Sequence, residues 1–360
     1  MDLEIINVLE KIEDNGFEAY LVGGFVRDYL LGISSVDIDI CTNALPKDII
    51  RIFDIKKETA NYGSISIKNG KYNFDITTYR KEYHYEDRRP SVVEYTNNLL
   101  SDIERRDFTI NAICMNKDGA ILDFLNGRDD LNKKIVKCIG NVSDKFIEDP
   151  LRIMRAIRLA AILNFELDDE ITNFIINNKD LIKSLSYTRK REELDKILSS
   201  KNVLNGLKLL KKLDLLYVLE LDYDKIIEVP DLLGMWAQIN FSSNYPFTKN
   251  NLFIINKIKN ILADGTINKY TLFYNGLYIS TVAGEILGYD KKNLNEIYQE
   301  LPIKNKRDLC INNNDIIDIL EIEPGKKLKI IYNDIICRVL DGVISNNYGD
   351  IKNYLLNNWK

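Results

Sequence analysis

Strand signals are confined to roughly the first 140 of this chain's 360 residues, and that asymmetry limits the fold more than any other feature. Residues 3–17 place apolar side chains at helical spacing (Leu3, Ile6, Leu9, Ile12) and stop near Gly16. Tyr20-Leu21-Val22 is a short apolar run entering Gly23-Gly24, the pattern of a buried strand, and residues 25–31 are helical in pattern up to Gly32. Residues 36–40 alternate apolar and acidic side chains, the period of a half-buried strand. Residues 64–67 and 72–77 read as paired strands joined at Asn69-Gly70, a turn pair that tolerates positive φ. Beyond residue 141 the patterns are helical, at 148–165, 168–177, 188–199 and 203–210. Leu-, Ile- and Asn-rich helical stretches then continue to the end, broken at Pro230, Pro246, Gly265, Pro302 and Pro324-Gly325. The expected class is α+β: an N-terminal head on a small mixed sheet, followed by an all-helical remainder.

Composition removes several kinds of chemistry. The chain has a single histidine, His84, so histidine metal clusters and multi-histidine relays cannot be built. Its five cysteines (Cys41, Cys114, Cys138, Cys310, Cys337) are scattered and never spaced as C-x-x-C, which points to reduced, structural thiols rather than zinc ligands. The acidic N-terminus lacks the basic start and apolar core of a signal peptide, and no apolar run is long enough to cross a membrane, so the cytosol is the expected location. Net charge is −5, which argues against a protein that coats nucleic acid indiscriminately but leaves room for a local basic RNA-binding patch.

Asp37 and Asp39 form a D-x-D on an expected strand, where a period of two turns both carboxylates to one side. Two carboxylates on one face suit Mg²⁺, which takes few protein oxygens and completes its shell with water and phosphate. A lone D-x-D is more often a solvated strand face. Here it follows Gly23-Gly24-Phe25-Val26-Arg27-Asp28, a glycine pair between strand and helix. Gly24 lets backbone approach a triphosphate closely, the helix start offers N–H groups, and Arg27 offers a forked donor. Asp75, amid apolar neighbours on a strand, is a third candidate for the metals or the attacking hydroxyl; an outward acid on an edge strand explains it equally well.

These residues resemble a known family. Leu21 to Asp28 followed by Asp37-Ile38-Asp39 looks like motif A of the polymerase-β nucleotidyltransferase superfamily. More narrowly, it resembles class II tRNA nucleotidyltransferases, the CCA-adding enzymes, and the related bacterial poly(A) polymerases. Arg105-Arg106-Asp107-Phe108-Thr109-Ile110-Asn111-Ala112 is similar to the ribose-selecting motif B, and residues 123–131 to the motif C hinge. Glu148-Asp149-Pro150-Leu151-Arg152 matches the E-D-x-x-R motif D, and residues 188–194 resemble motif E, which braces the neck helices. The resemblance implies a seahorse-shaped monomeric unit: a catalytic head at 1–140, a helical neck with the nucleotide template at 141–200, a helical body at 201–300, and a tRNA-binding helical tail at 301–360. It implies a metal-dependent enzyme that uses Mg²⁺, CTP, ATP and tRNA.

Carried onto this chain, the resemblance assigns Asp37, Asp39 and Asp75 to catalysis, with the metal on Asp37 and Asp39. Arg106 contacts the nucleotide, Asp107 the ribose hydroxyls, and Asn111 holds that contact. Asp149 offers acceptors and Arg152 a planar donor fork, together mimicking a base's Watson–Crick edge. Glu148 orients Arg152, while Arg155 and Arg158 follow at three-residue steps to meet triphosphate or template-side groups. Asn61-Tyr62-Gly63-Ser64-Ile65 resembles the transferases' H-G-T-V stretch, with Tyr62 and Ser64 departing from it, and not the basic segment of poly(A) polymerases. The charged stretch from 81 to 104 is expected as a mobile loop of the kind that CC-adding enzymes lack in working form. Addition of all of CCA is the favoured activity, ahead of A addition alone and of poly(A) synthesis. An inactive RNA-binding scaffold is opposed by the intact acids and arginines.

Overall fold

The computed structural model describes residues 1–55, 63–86 and 89–360; Tyr62 and, within the expected loop, Asp87 and Arg88 lie outside the described residues. Two compact units emerge, Met1–Glu220 and Leu221–Lys360.

The first unit begins with α1 (Leu3–Glu13), capped by the Asp2 carboxylate and buried through Ile5, Val8, Leu9 and Ile12. There follow β1 (Ala19–Val22), α2 (Gly24–Leu30), β2 (Asp37–Thr42), α3 (Pro46–Phe53), β3 (Ser64–Asn69) and β4 (Tyr72–Thr78). With β7 (Cys114–Met115) and β8 (Ile121–Leu122) these strands form one sheet in the order β3-β4-β2-β1-β7-β8. β2 and β4 are parallel; β1–β2, β3–β4, β1–β7 and β7–β8 are antiparallel. β1 to β4 start and stop within two residues of the expected positions, because alternation is a local signal, whereas β7 and β8 are unexpected. Ile38, Ile40, Phe74 and Ile76 on one side of β2 and β4 are essentially solvent-free. Their alternation partners, Asp37, Asp39 and Asp75, are exposed on the other.

The stretch from 81 to 104 differs from expectation. It is a two-stranded antiparallel ribbon, β5 (Arg80–Glu86) and β6 (Arg89–Tyr95), followed by α4 (Leu99–Glu104), and the ribbon pairs with no other strand among the described residues. Its charges conceal an alternation of Tyr83 with Val92 and of Glu82 with Val93 across the ladder, and β-branched and aromatic residues favour such pairing.

Beyond β7 and β8 come α5 (Gly127–Lys133), β9 (Ile135–Val136), α6 (Val142–Glu148), α7 (Leu151–Leu163), β10 (Glu166–Leu167), α8 (Asp169–Asn178), α9 (Tyr187–Leu198) and α10 (Val203–Lys212). β9 and β10 pair in parallel, a small ladder within the otherwise helical part. The helix expected at 148–165 begins only at Leu151, as α7, because the residue before Pro150 is pushed into extended backbone: Asp149 has φ −137° and ψ 97°; the separate helix α6 before it is unexpected. Residues 201–220 pack with this first unit, and Gly206 lies against Ile197 and Ala161 too closely for a side chain.

The second unit holds β11 (Leu221–Asp222), α11 (Leu232–Ala237), β12 (Asn240–Phe241), α12 (Lys249–Asp264), α13 (Lys269–Leu287), α14 (Lys291–Glu300), α15 (Asn313–Leu320), α16 (Lys326–Leu340) and α17 (Tyr348–Asn358). Fully buried Trp236 gathers Phe241 and Phe247, each 5.2 Å away between ring centroids. Among the described residues no helix is long and apolar enough to cross a membrane.

Candidate active site

The site is built first from strand register. In the parallel β2–β4 pair Asp37 stands beside Asn73 and Asp39 beside Asp75, so three carboxylates share one face across two neighbouring strands. Asn73 Nδ2 donates to Asp37 Oδ1 at 2.9 Å, and Ser66, the register partner of Asp75 on β3, donates its hydroxyl to Asp75 Oδ1. Period two accounts for Asp37 and Asp39, but only the sheet order brings Asp75 beside them.

The glycine pair closes over these acids. Gly23 has φ +76°, and a Cβ there would stand 2.5 Å from Asp39 Oδ2, so the position demands glycine twice over. The Gly24 N–H, at the start of α2, favours the charged form of the Asp39 carboxyl. Arg27 is held by Asp28, with Nη2 2.6 Å from Oδ1, and donates from Nη1 to Asn111 Oδ1 at 2.7 Å. Asn111 therefore positions Arg27.

Crowding shapes the electrostatics. Asp39 keeps solvent access, yet desolvation by the surrounding protein, then Asp75 and Asp37, push its pKa up; Arg106 and the Gly24 N–H hold it back. Among the described residues no three acids, histidines or cysteines close into a ready-made cage. Like charges crowded on an open strand face, with too few ligands to complete a shell, fit a cation that keeps water and phosphate oxygens around it. The sign has a measurable consequence. A carboxylate whose folded pKa is raised costs stability; the cost accumulates from the ordinary value of 3.8 up to the folded pKa and is complete above it. In metal-free protein at neutral pH, Asp39→Asn is expected to melt above the wild type, and divalent cation to raise the melting temperature of the wild type alone. Thermal melts with and without Mg²⁺ check both points; a variant melting below the wild type contradicts the crowding.

A second cluster joins the head to α7. Asp107 accepts from Arg152 Nε at 2.9 Å with one oxygen, while Arg155 Nη1 lies 2.6 Å from the other. Although burial opposes it, Arg155 and then Arg152 hold the Asp107 carboxyl below its usual range. Glu148 Oε2 receives Arg152 Nη1 at 2.8 Å, the orienting contact expected of it. Arg152 is only 4% exposed, and the Lys145 carbonyl takes the same Nη1 at 2.6 Å. Asp149, also buried, accepts the Leu151 N–H at 3.0 Å; burial raises its pKa. The break at Pro150 therefore does the aiming: it turns Asp149 out of the helix while Arg152 sits in the first turn of the next. Arg158 leaves this cluster for Glu193 of α9, 3.0 Å away. Burial lowers the Arg158 pKa, Glu193 opposes that, and Arg155 and Arg27 add to it, so these three arginines form one positive region.

Several participants went unread in the sequence. Lys145 donates to the carbonyls of Glu104, Arg105 and Arg106 at 3.0–3.1 Å, clamping motif B, and no local pattern announces it. Asp130 accepts from Thr109 Oγ1 at 2.7 Å, and Asp123 accepts the Gly127 and Arg128 N–H groups at 2.9 Å, which anchors the motif C segment to motif B. Asp102, fully buried, ion-pairs with Arg106 at 3.1 Å; its i,i+4 spacing from Arg106 was the available signal.

Residues 19–137 match the "Poly A polymerase head domain" model, residues 164–224 the "Probable RNA and SrmB- binding site of polymerase A", and residues 238–355 the second-domain model of tRNA nucleotidyltransferases. The chain is 32% identical to a protein of Ligilactobacillus salivarius named CCA-adding enzyme, covering 94% of this chain and 92% of the relative. It is 32% identical to a Staphylococcus aureus protein of the same name, covering 98% and 97%. Among solved structures, the CCA-adding enzyme of Bacillus stearothermophilus in complex with CTP superposes with a TM-score of 0.86 at 26% identity, over 99% of this chain and 96% of that one. The Thermotoga maritima enzyme complexed with tRNA shares the fold, with a TM-score of 0.68 at 22% identity.

Proposed function

The chain belongs to the CCA-adding enzymes, and from that premise we propose that the acidic strand face of the head and the Asp149–Arg152 corner form one nucleotide site that serves both CTP and ATP. The enzyme adds C, C and A to the 3′ end of tRNA without a nucleic-acid template, releasing pyrophosphate at each step. The observation that carries the single-site reading is the bridge through Asp107, which ties motif B to the start of α7 by way of Arg152 and Arg155. A nucleotide whose phosphates lie over the acids would extend its base toward Asp149 and Arg152.

In this site Asp149 and Arg152 present acceptors and donors to the base edge, with Glu148 fixing the arginine. Asp107 and Arg106 face the sugar. Gly24, Arg27, Arg155 and Arg158 surround the triphosphate, with Asn111 setting Arg27. The tRNA 3′ oxygen attacks the α-phosphorus; the new P–O bond forms as the bond to the β-phosphate bridging oxygen breaks, and pyrophosphate carries away that electron pair. Asp75, held by Ser66, takes the proton of the attacking hydroxyl. Enzymes of this type depend on a divalent metal, and Mg²⁺ on Asp37 and Asp39 would neutralise triphosphate charge and make the hydroxyl more acidic. We assign residues 1–140 to the catalytic head, 141–200 to the neck, 201–300 to the body and 301–360 to a tRNA-binding tail, and place the enzyme in the cytosol with its substrates.

Successive substrates test this reading: tRNA lacking all three terminal nucleotides, lacking the last two, and lacking only the A. Correct extension of each by one enzyme is expected; failure with the first two would leave an A-adding enzyme. The ribbon gives a sharper test. One site must pass from holding a pyrimidine to holding a purine, and the β5–β6 ribbon, footed beside motif B, is placed to bias that change. Deleting residues 83–90 is expected to leave both C additions largely intact and to slow A addition about a hundredfold, as a lost bias of a few kcal/mol would. Equal loss of both activities would make the ribbon merely structural.

A further inference from the structure

The nucleotide site does not account for one buried carboxylate beside it. Asp102, in the last part of α4, has no exposed surface, and its two oxygens serve three separate partners. Oδ1 accepts the backbone N–H of Arg80, where β5 begins, at 3.2 Å, and Arg105 Nε at 2.9 Å. Oδ2 accepts Arg106 Nη2 at 3.1 Å. A second carboxylate, Glu82 on β5, completes the junction: Oε1 takes Arg80 Nε at 2.7 Å and Arg105 Nη1 at 3.2 Å.

Arg106 stands at the other end of this junction. Asp39 of the acidic strand face is among the charges that favour the Arg106 guanidinium. Burial works against the Arg106 charge, and the surrounding negative groups, Asp102 foremost, together more than restore it. Its Nε is buried and has no hydrogen-bond partner among the described residues. A buried, unpaired N–H on a charged group is costly, and a ligand acceptor arriving at that atom removes the cost. The arginine is therefore held by one arm and offers another.

We propose that Asp102 is a positioning residue: it holds Arg106 in its nucleotide-binding pose and shares that hold with the foot of the β5–β6 ribbon. The inference rests on the reading of Arg106 as a nucleotide contact. A planar fork gripped at Nη2 keeps its direction, whereas a released one samples several rotamers that each lower the fraction ready to bind. Since Oδ1 also grips the Arg80 N–H, any movement of the ribbon's foot pulls on the same carboxylate that sets Arg106. Glu82, reaching Arg105 from the ribbon, strengthens the link.

The test is a double-mutant cycle read by steady-state kinetics with CTP and with ATP. Asp102→Asn keeps the shape and removes the charge. It is expected to raise the nucleotide KM about 10- to 100-fold, the value of a charge-assisted hydrogen bond, with kcat changed much less. In an Arg106→Gln background the same substitution is expected to add almost nothing, because its effect runs through that arginine. Glu82→Gln, at the ribbon, is expected to give a smaller KM rise of about threefold that also disappears in the Arg106→Gln background. This variant carries the test if Asp102→Asn does not fold. Multiplying effects in the double variants, or an unchanged KM in folded Asp102→Asn, would overturn the inference and leave Arg106 as a nucleotide contact. An unchanged KM in Arg106→Gln itself would overturn that reading, and the inference with it.

Discussion

Asp37→Ala and Asp39→Ala are each expected to lower nucleotide transfer by at least about a thousandfold, the scale on which a metal-held charge in phosphoryl transfer is felt. Neither side chain is part of the core: both project from the exposed side of β2, opposite Ile38 and Ile40. The fold should therefore survive, with melting temperatures in metal-free protein close to the wild type for Asp37→Ala and not below it for Asp39→Ala. Among the described residues, Asp37→Ala loses the bond from Asn73. Incorporation of labelled CMP into tRNA lacking its terminal CCA, alongside thermal melts, measures both halves of the expectation. Transfer at wild-type rates by either variant would remove these acids from the metal site; an unfolded variant would show that the strand face is structural.

Asp149→Ala and Arg152→Ala are expected to reduce discrimination of CTP and ATP against UTP and GTP by about 1–3 kcal/mol, the worth of one good two-point base contact. Triphosphate affinity should change less, because Arg27 and Arg155 remain. The two variants differ in stability for a visible reason. Asp149→Ala removes the cap on the Leu151 N–H, a loss of about 1 kcal/mol. Arg152→Ala takes a buried guanidinium from between Asp107 and Glu148; Asp107 keeps Arg155 and Glu148 keeps solvent, so the loss stays near about 1–3 kcal/mol. Arg152→Lys separates the two effects. It preserves a charge beside Asp107 but not the planar fork, so it is expected to melt close to the wild type and still misincorporate. Competition assays with all four nucleotides decide: unchanged selectivity in all three variants would defeat the template reading.

Most of what was legible in the sequence was periodic or contiguous. The alternation along β2 puts Asp37 and Asp39 on one side whatever the sheet around them, because successive strand residues point to opposite faces. The run from Glu148 to Arg152 likewise keeps its acid and its arginine, four residues apart, as neighbours at 2.8 Å, although the helix expected through it breaks at Pro150. The order of strands and helices, and the change to a helical chain near residue 141, followed from the same local patterns. The stretch from 81 to 104 misled because charged and turn-forming residues masked a cross-strand pattern, visible only once β5 and β6 are laid side by side.

The tertiary structure decided which distant groups share a partner. Asp75 joins the other acids because β4 lies parallel to β2, in a register that no spacing along the chain encodes. Asp107 meets Arg152 and Arg155, forty-five and forty-eight positions on, because the backbone of residues 137–139 bonds to that of residues 107–109; Arg27 meets Asn111 eighty-four positions on where β7 pairs with β1. Arg155 and Arg158, one helical step apart and equal in the sequence, go to different acids, Asp107 and Glu193, since α9 packs against only one part of α7. Period and turn chemistry act over a few residues and are written into the chain; the sharing of one buried carboxylate among several arginines depends on which segments the closed fold brings within about 3 Å, and arises only there.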